Sequence, residues 1–447
     1  MTIFPLILHR RADQPVAYRD GVAIDAARFI ADVSALAQTL PEHRYVLNLC
    51  GDRYRFAVGL AAALLRGQIS LLPPNHTPAL VADLKVDYPG LYGLTDSELA
   101  ELDLAQHRFP ILSGSTRSDF VVPSAPAEQV VAHVFTSGST GRPLPQIKTW
   151  GGLARGATAQ AERLTIAPHT AVTLVGTVPA QHMYGLESSL MLALQNGWSF
   201  YAGRPFYPED IRAALAGLPD EKVLITTPFH LRALLDSETS VPQLARLLCA
   251  TAPLPLELAE LAEAKLRVSL QEVYGFTEAG QVATRRTVDG PVWQTYRDVR
   301  VYEREGAYYA QGGAVEREAK FQDVIEFIDD EHFTLHGRSA DLINIAGKRT
   351  SLANLNYHLN AIPGVVDGVF FMPEEQADRI IRPIAFVVAP GMTAEALSAA
   401  LRLRLDAAFL PRPIYFLPAR FPFCRRARLR FGFSAAGVSF IRAAFVA

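Results

Sequence analysis

Between residues 45 and 275 the chain alternates. Short runs rich in aliphatic and β-branched residues are separated by stretches with helical character. The pattern predicts strands over 45–49, 130–135, 171–175, 222–225, 247–251 and 269–274. It predicts helices over 53–65, 150–164, 208–218 and 255–266. Strands that alternate with helices form a layered, largely parallel sheet, because a parallel pair needs a crossover connection. Residues 297–336 change character: VRVYEREGAYYAQGG and DVIEFIDDEHFTLHG read as antiparallel hairpins. After Gly337 a compact α+β unit is expected, with strands over 342–345, 368–372, 384–388 and 414–417 and helices over 352–359 and 394–408. A chain of 447 residues exceeds one ordinary domain. The expected fold is α/β: a large N-terminal domain of layered sheets and helices with a β-rich subdomain (1–337), and a small C-terminal domain (338–447).

Composition narrows the function class. The net charge is −2, which gives no global field for nucleic acid or an anionic membrane. Cys50, Cys249 and Cys424 lie far apart, without metal spacing, and their odd number argues against a disulfide framework. The longest apolar run, 56–65, is about half a membrane span. The opening MTIFPLILHRR lacks the charge order and cleavage site of a signal peptide. A cytoplasmic enzyme is expected, without a nucleic-acid partner or stable membrane insertion. In the tail, no acidic residue follows Asp406 and seven arginines occur from Arg412 onward. It reads equally as a solvated appendage or a substrate-facing segment.

Four motifs carry chemistry. Thr136-Ser137-Gly138-Ser139-Thr140-Gly141 follows the apolar strand QVVAHVF. Glycine lets backbone N–H groups approach a phosphate closely, and the hydroxyls add donors. Tyr274-Gly275-Phe276-Thr277-Glu278 closes another strand, where open α/β sheets bind ligands. There Thr277 can offer a hydroxyl to a phosphate, and Glu278 a carboxylate to Mg²⁺, a hard cation that prefers oxygen. Asp323 can bind ribose hydroxyls, and Arg338 can bridge ribose and phosphate. His182, in Pro179-Ala180-Gln181-His182-Met183-Tyr184-Gly185, falls between a strand end and a helix start. Singly, a surface turn, a loop cap, ordinary surface charges and a structural histidine are the bland alternatives.

Together and in this order, these motifs resemble the adenylate-forming superfamily of acyl- and aryl-CoA synthetases, luciferases and peptide-synthetase adenylation domains. Within it, VLNLCGDRYRFAVGLAAALLRGQISLLPPN, RPLPQIKTW and IAGKRTSLANLN look like ligases that load hydroxybenzoate-type acids onto acyl carrier proteins for aryl polyene pigments such as xanthomonadin. The resemblance implies an ATP- and Mg²⁺-dependent ligase that converts a carboxylic acid to an acyl-adenylate. The acyl group then passes to the thiol of CoA or a carrier protein. It also implies that the small domain swings on a hinge at 338–341. By motif, Thr136 to Gly141 would hold the β- and γ-phosphates, Thr277 the α-phosphate, Glu278 the Mg²⁺ and Asp323 the ribose, with Arg338 nearby. Ala250-Thr251-Ala252 would face the adenine. His182, Phe229, His230, Ala250 and Gly275 would form the acyl pocket, and Lys348 would serve the second half-reaction. Three departures stand out: Leu144 replaces the usual lysine after the loop proline, with Lys148 further on, Ala340 replaces the hinge aspartate, with Asp341 following, and Arg428 occupies the place of the C-terminal catalytic lysine.

Overall fold

The structure is a computed structural model that describes residues 2–111, 120–137, 143–167, 170–219, 221–338, 342–345, 348–360, 362–373, 382–417, 433–434 and 437–438. Two large sheets dominate it. The first runs, edge to edge, Pro143–Thr149, Val130–Ser137, Ile69–Leu72, Tyr45–Asn48, Tyr92–Thr95 and Gln106–Arg108. It is parallel except for the hairpin of its first two strands, whose tip is the hydroxyl- and glycine-rich loop. The second places Leu270–Phe276, Arg246–Cys249, Glu221–Thr226, Val172–Gly176 and Ser199–Tyr201 side by side and parallel. Antiparallel strands extend this sheet beyond Leu270–Phe276, while at the other end Pro15–Arg19 adds in parallel and Val22–Asp25 antiparallel to it.

Helix Arg53–Leu65 is buried almost all round, as its apolar sequence requires. Asp52 caps it by accepting from the Arg55 N–H at 2.8 Å. It packs with Trp150, Leu174, Leu190, Phe200 and Ile225 into the core between the two sheets. Helix Trp150–Leu164 is capped in the same way by the Thr149 hydroxyl.

Local patterning located most of these elements to within two residues. It did not anticipate the N-terminal strands Pro15–Arg19 and Val22–Asp25, which complete the far edge of the second sheet, or helix Ala26–Thr39. The expected hairpins of 297–336 divide. Arg300–Arg304, Ala307–Gly312 and Val315–Lys320 form a separate sheet, while Asp323–Phe327 and His332–Arg338 join the large one. The C-terminal unit has a core of its own around Leu355, Phe370, Val387, Leu397 and Leu401. Its second helix ends at Arg402 rather than 408, because Asp406 caps a separate turn at Ala407–Phe409.

Candidate active site

Four neighbouring parallel strands end on the same edge of the second sheet. Each releases one of the expected segments there: Thr277-Glu278 after Leu270–Phe276, Ala250-Thr251-Ala252 after Arg246–Cys249, Phe229-His230 after Glu221–Thr226, and residues 179–182 after Val172–Gly176. The carboxyl edge of a parallel sheet is where such folds bind ligands. Two glycines permit the close approaches. A Cβ on Gly275 would lie 2.3 Å from the Gly280 carbonyl oxygen, and one on Gly185 would lie 1.9 Å from that of Pro179. No side chain fits either place.

Asp323 lies at the other end of the sheet, yet it reaches this edge. The Tyr274 hydroxyl donates to its carboxylate at 2.7 Å. Strand register sets Asp323 opposite Arg338. Glu278 is half-buried in the turn after Phe276, and no described residue hydrogen bonds to its carboxylate. Among the described residues there is no cluster of three metal-ligating side chains. A lone available carboxylate suits Mg²⁺, which is usually held by one or two carboxylates plus substrate phosphates.

Around His230 the surface is aromatic, with the Arg204 guanidinium nearby. Phe206 and Phe229 pack their rings 4.9 Å and 5.3 Å from that of His230. His230 Nδ1 lies 2.8 Å from the Thr227 hydroxyl, which leaves Nε2 buried without a protein partner among the described residues. Burial, then the nearby Arg204 guanidinium, lower the His230 pKa to about 4. His182 occupies the position before the short helix Met183–Gly185, without a side-chain hydrogen bond to the helix. Burial lowers its pKa to about 4, aided by Lys348 and Arg204 and opposed by Asp406. Both imidazoles are neutral at pH 7. Lys348 thus sits within electrostatic reach of His182, and its ammonium is held by the Asp406 carboxylate.

Gly138, Ser139, Thr140, Gly141 and Arg428 lie outside the described residues, as do the side chains of Thr136, Ser137 and Arg338. Arg53 and Glu187 are given no role in the sequence reading, and Lys148 enters it only as the lysine that follows Leu144 at a distance. Arg53 donates to four backbone carbonyls at strand ends, while Lys148 and Glu187 are charges buried beside Glu278. Their one visible signal is a lone charge next to an apolar run.

Residues 8–303 match the family of AMP-binding enzymes. The chain is similar to a 4-coumarate–CoA ligase of Rhodobacter capsulatus, 28% identical over 370 residues that cover 78% of this chain and 90% of that protein. It is also similar to a 2-succinylbenzoate–CoA ligase of Bacillus cereus, 24% identical over 79% of this chain and 84% of that protein. Among solved structures, the o-succinylbenzoate CoA synthetase of Bacillus subtilis bound to a product analogue shares the fold. Its TM-score is 0.81 at 18% identity, covering 96% of this chain and 98% of that one. The chain belongs to the AMP-binding enzyme family, as an ATP-using, AMP-forming acid–thiol ligase.

Proposed function

We propose that this enzyme activates a small planar aromatic acid, of the hydroxybenzoate type, as its acyl-adenylate and transfers it to a phosphopantetheine thiol. The observation that carries this reading is the convergence of Thr277-Glu278, Ala250–Ala252 (250–252), Phe229-His230 and His182 on one strand edge, with the aromatic Phe206–Phe229–His230 cluster on the acyl side. The acyl carrier protein of an aryl polyene pathway is the proposed acceptor, on the motif resemblance described above, and CoA is the competing one. The proposed compartment is the cytoplasm.

A carboxylate is a poor acyl donor. Its oxygen attacks the α-phosphorus of ATP, pyrophosphate leaves, and the mixed anhydride forms. The chain's part is to position the reactants and neutralise charge. Thr277 would face the α-phosphate, Asp323 the ribose, and Thr136 to Gly141 the leaving pyrophosphate. Mg²⁺ held by Glu278 would screen the phosphate charge. Neutral His182 and His230, with the rings of Phe206 and Phe229, would face the acyl ring, and stacking on those rings favours an aromatic acid. The thiol then attacks the carbonyl, and AMP departs. For that step the small domain would turn about 338–341 and present Lys348, whose place beside His182 supports such an arrangement.

The test is acid-dependent ATP–pyrophosphate exchange across a panel of aromatic and fatty acids, followed by thioester formation with CoA and with a carrier protein. A long-chain acid outperforming every aromatic acid would refute the substrate class. A second reading is motivated by Arg428 in place of the family lysine: a nucleotide-binding homologue with little turnover. Arginine is wider and less adaptable than lysine. Adenylation should therefore be slow while a supplied acyl-adenylate is used at a normal rate, and Arg428→Lys should speed the first step alone.

A further inference from the structure

Two buried charges have no part in the chemistry above. Lys148 lies on the edge strand Pro143–Thr149, which descends from the phosphate loop, and is 7% exposed. Glu187 lies in the helical segment Leu186–Met191, five residues beyond His182, and is 6% exposed. A desolvated charge is costly unless it is paired and hydrogen bonded. Both meet at the turn that carries Glu278. The Lys148 ammonium donates to the Glu278 backbone carbonyl at 3.2 Å. The Glu187 carboxylate accepts from the Gln281 N–H at 3.3 Å. It packs so closely on Gly280 that a Cβ there would come within 2.7 Å of its Oε1. The turn is therefore gripped on both sides of residues 279–280, and the two gripping groups attract each other.

A cavity of about 320 Å³ opens beside them, lined among others by Lys148, Met183, Glu187, Glu278, Glu316 and Gln322. Glu316 is taken up by Arg155 and by the Thr149 hydroxyl. Of the acids that act on Lys148, Glu187 acts most strongly and Glu278 next. Burial pushes the Glu187 carboxyl up, and Lys148 opposes this.

We propose that Lys148 and Glu187 are positioning residues: a buried ionic brace that locks the Thr277-Glu278 turn against the phosphate-loop hairpin and the His182 segment, so that the Glu278 carboxylate is held in place for Mg²⁺–ATP. The brace joins three segments whose mutual placement decides adenylation. The second half-reaction involves no triphosphate and does not need it. This inference rests on the reading of Glu278 as the magnesium ligand.

The experiment is ATP–pyrophosphate exchange against Mg²⁺ concentration for Lys148→Met, Lys148→Arg, Glu187→Gln and Glu278→Gln, beside thioester formation from a synthetic acyl-adenylate. Removing a partner that orients a metal ligand typically costs about 10–100-fold in metal affinity. Lys148→Met is expected to raise half-saturating Mg²⁺ about tenfold by that argument. The KM for the acid and the thioester rate should stay within about twofold. Lys148→Arg should recover most of the loss, and Lys148→Met/Glu187→Gln should be no worse than Lys148→Met alone. If Lys148→Met does not fold, Glu187→Gln and Lys148→Arg carry the same comparison. A normal Mg²⁺ requirement in the brace variants, with a raised one in Glu278→Gln, overturns the brace alone. So does an equal loss in both half-reactions. A normal requirement in Glu278→Gln overturns the reading of Glu278, and the brace with it.

Discussion

Arg53 offers the sharpest energetic prediction. It is 3% exposed, and among the described residues no carboxylate hydrogen bonds to its guanidinium. Instead it donates to the carbonyls of Tyr201 at 2.9 Å, Gly203 at 2.7 Å, Gly176 at 2.9 Å and Val178 at 2.8 Å. Burial lowers its pKa to about 10, so it stays charged at neutrality. Those carbonyls end Val172–Gly176 and Ser199–Tyr201, the strands that release the His182 segment and the Arg204–Phe206 loop, 204–206. Arg53→Met fills much of the space but strands four buried acceptors. Each unsatisfied acceptor costs about 1–3 kcal/mol, while the desolvation cost of the guanidinium is recovered. The expected net loss is about 3–5 kcal/mol, near the lower end of four such costs because the recovered desolvation offsets part of them. Urea unfolding followed by tryptophan fluorescence should show a midpoint lowered by about 1 M or more. At temperatures where the variant stays folded, the KM for the acid should rise more than that for ATP, because His182 and Phe206 are on the released loops. A loss under about 1 kcal/mol, the range of an ordinary surface change, would refute the clamp.

Three further outcomes follow from the site. Asp323→Ala should weaken ATP binding and narrow the preference for ATP over 2′-deoxy-ATP, since the carboxylate is proposed to meet the ribose; unchanged nucleotide discrimination would remove Asp323 from that role. Thr136→Val with Thr140→Val should abolish pyrophosphate release in a protein that still unfolds cooperatively, at about 1.5–3 kcal/mol for each charge-assisted hydrogen bond lost. His230 has a folded pKa near 4, below its unfolded value of about 6.5. Its neutral burial therefore leaves stability intact above pH 6.5 and erodes it as pH falls toward 4. Between pH 7 and pH 5 the parent should lose about 2 kcal/mol more than His230→Gln, read as urea midpoints; equal losses would show that the imidazole is not held neutral.

Much of this architecture was legible from local pattern because local physics decides it. Helix Arg53–Leu65 begins at a capping aspartate and ends where the apolar run meets Arg66-Gly67. The four segments proposed to face the ligand follow strand ends, and strand ends are marked by the shift from β-branched runs to glycine, proline and hydroxyl residues. What could not be read is long-range. Lys148 meets a carbonyl 130 positions away, and Arg53 meets carbonyls 123 to 150 positions away. A lone charge beside an apolar run announces burial, not its partner. The edge placement of Pro15–Arg19 against Ser199–Tyr201 is likewise a matter of topology that no local signal carries.

The central claim is tested most directly by acid-dependent exchange of labelled pyrophosphate into ATP. The enzyme is incubated with ATP, Mg²⁺ and a hydroxybenzoate, without a thiol. Reversible acyl-adenylate formation predicts exchange that requires the acid, needs more Mg²⁺ in Glu278→Gln, and gives way to AMP and thioester when a carrier protein or CoA is added. Exchange indifferent to the acid, or its absence with every acid in the panel while ATP still binds, would contradict the account.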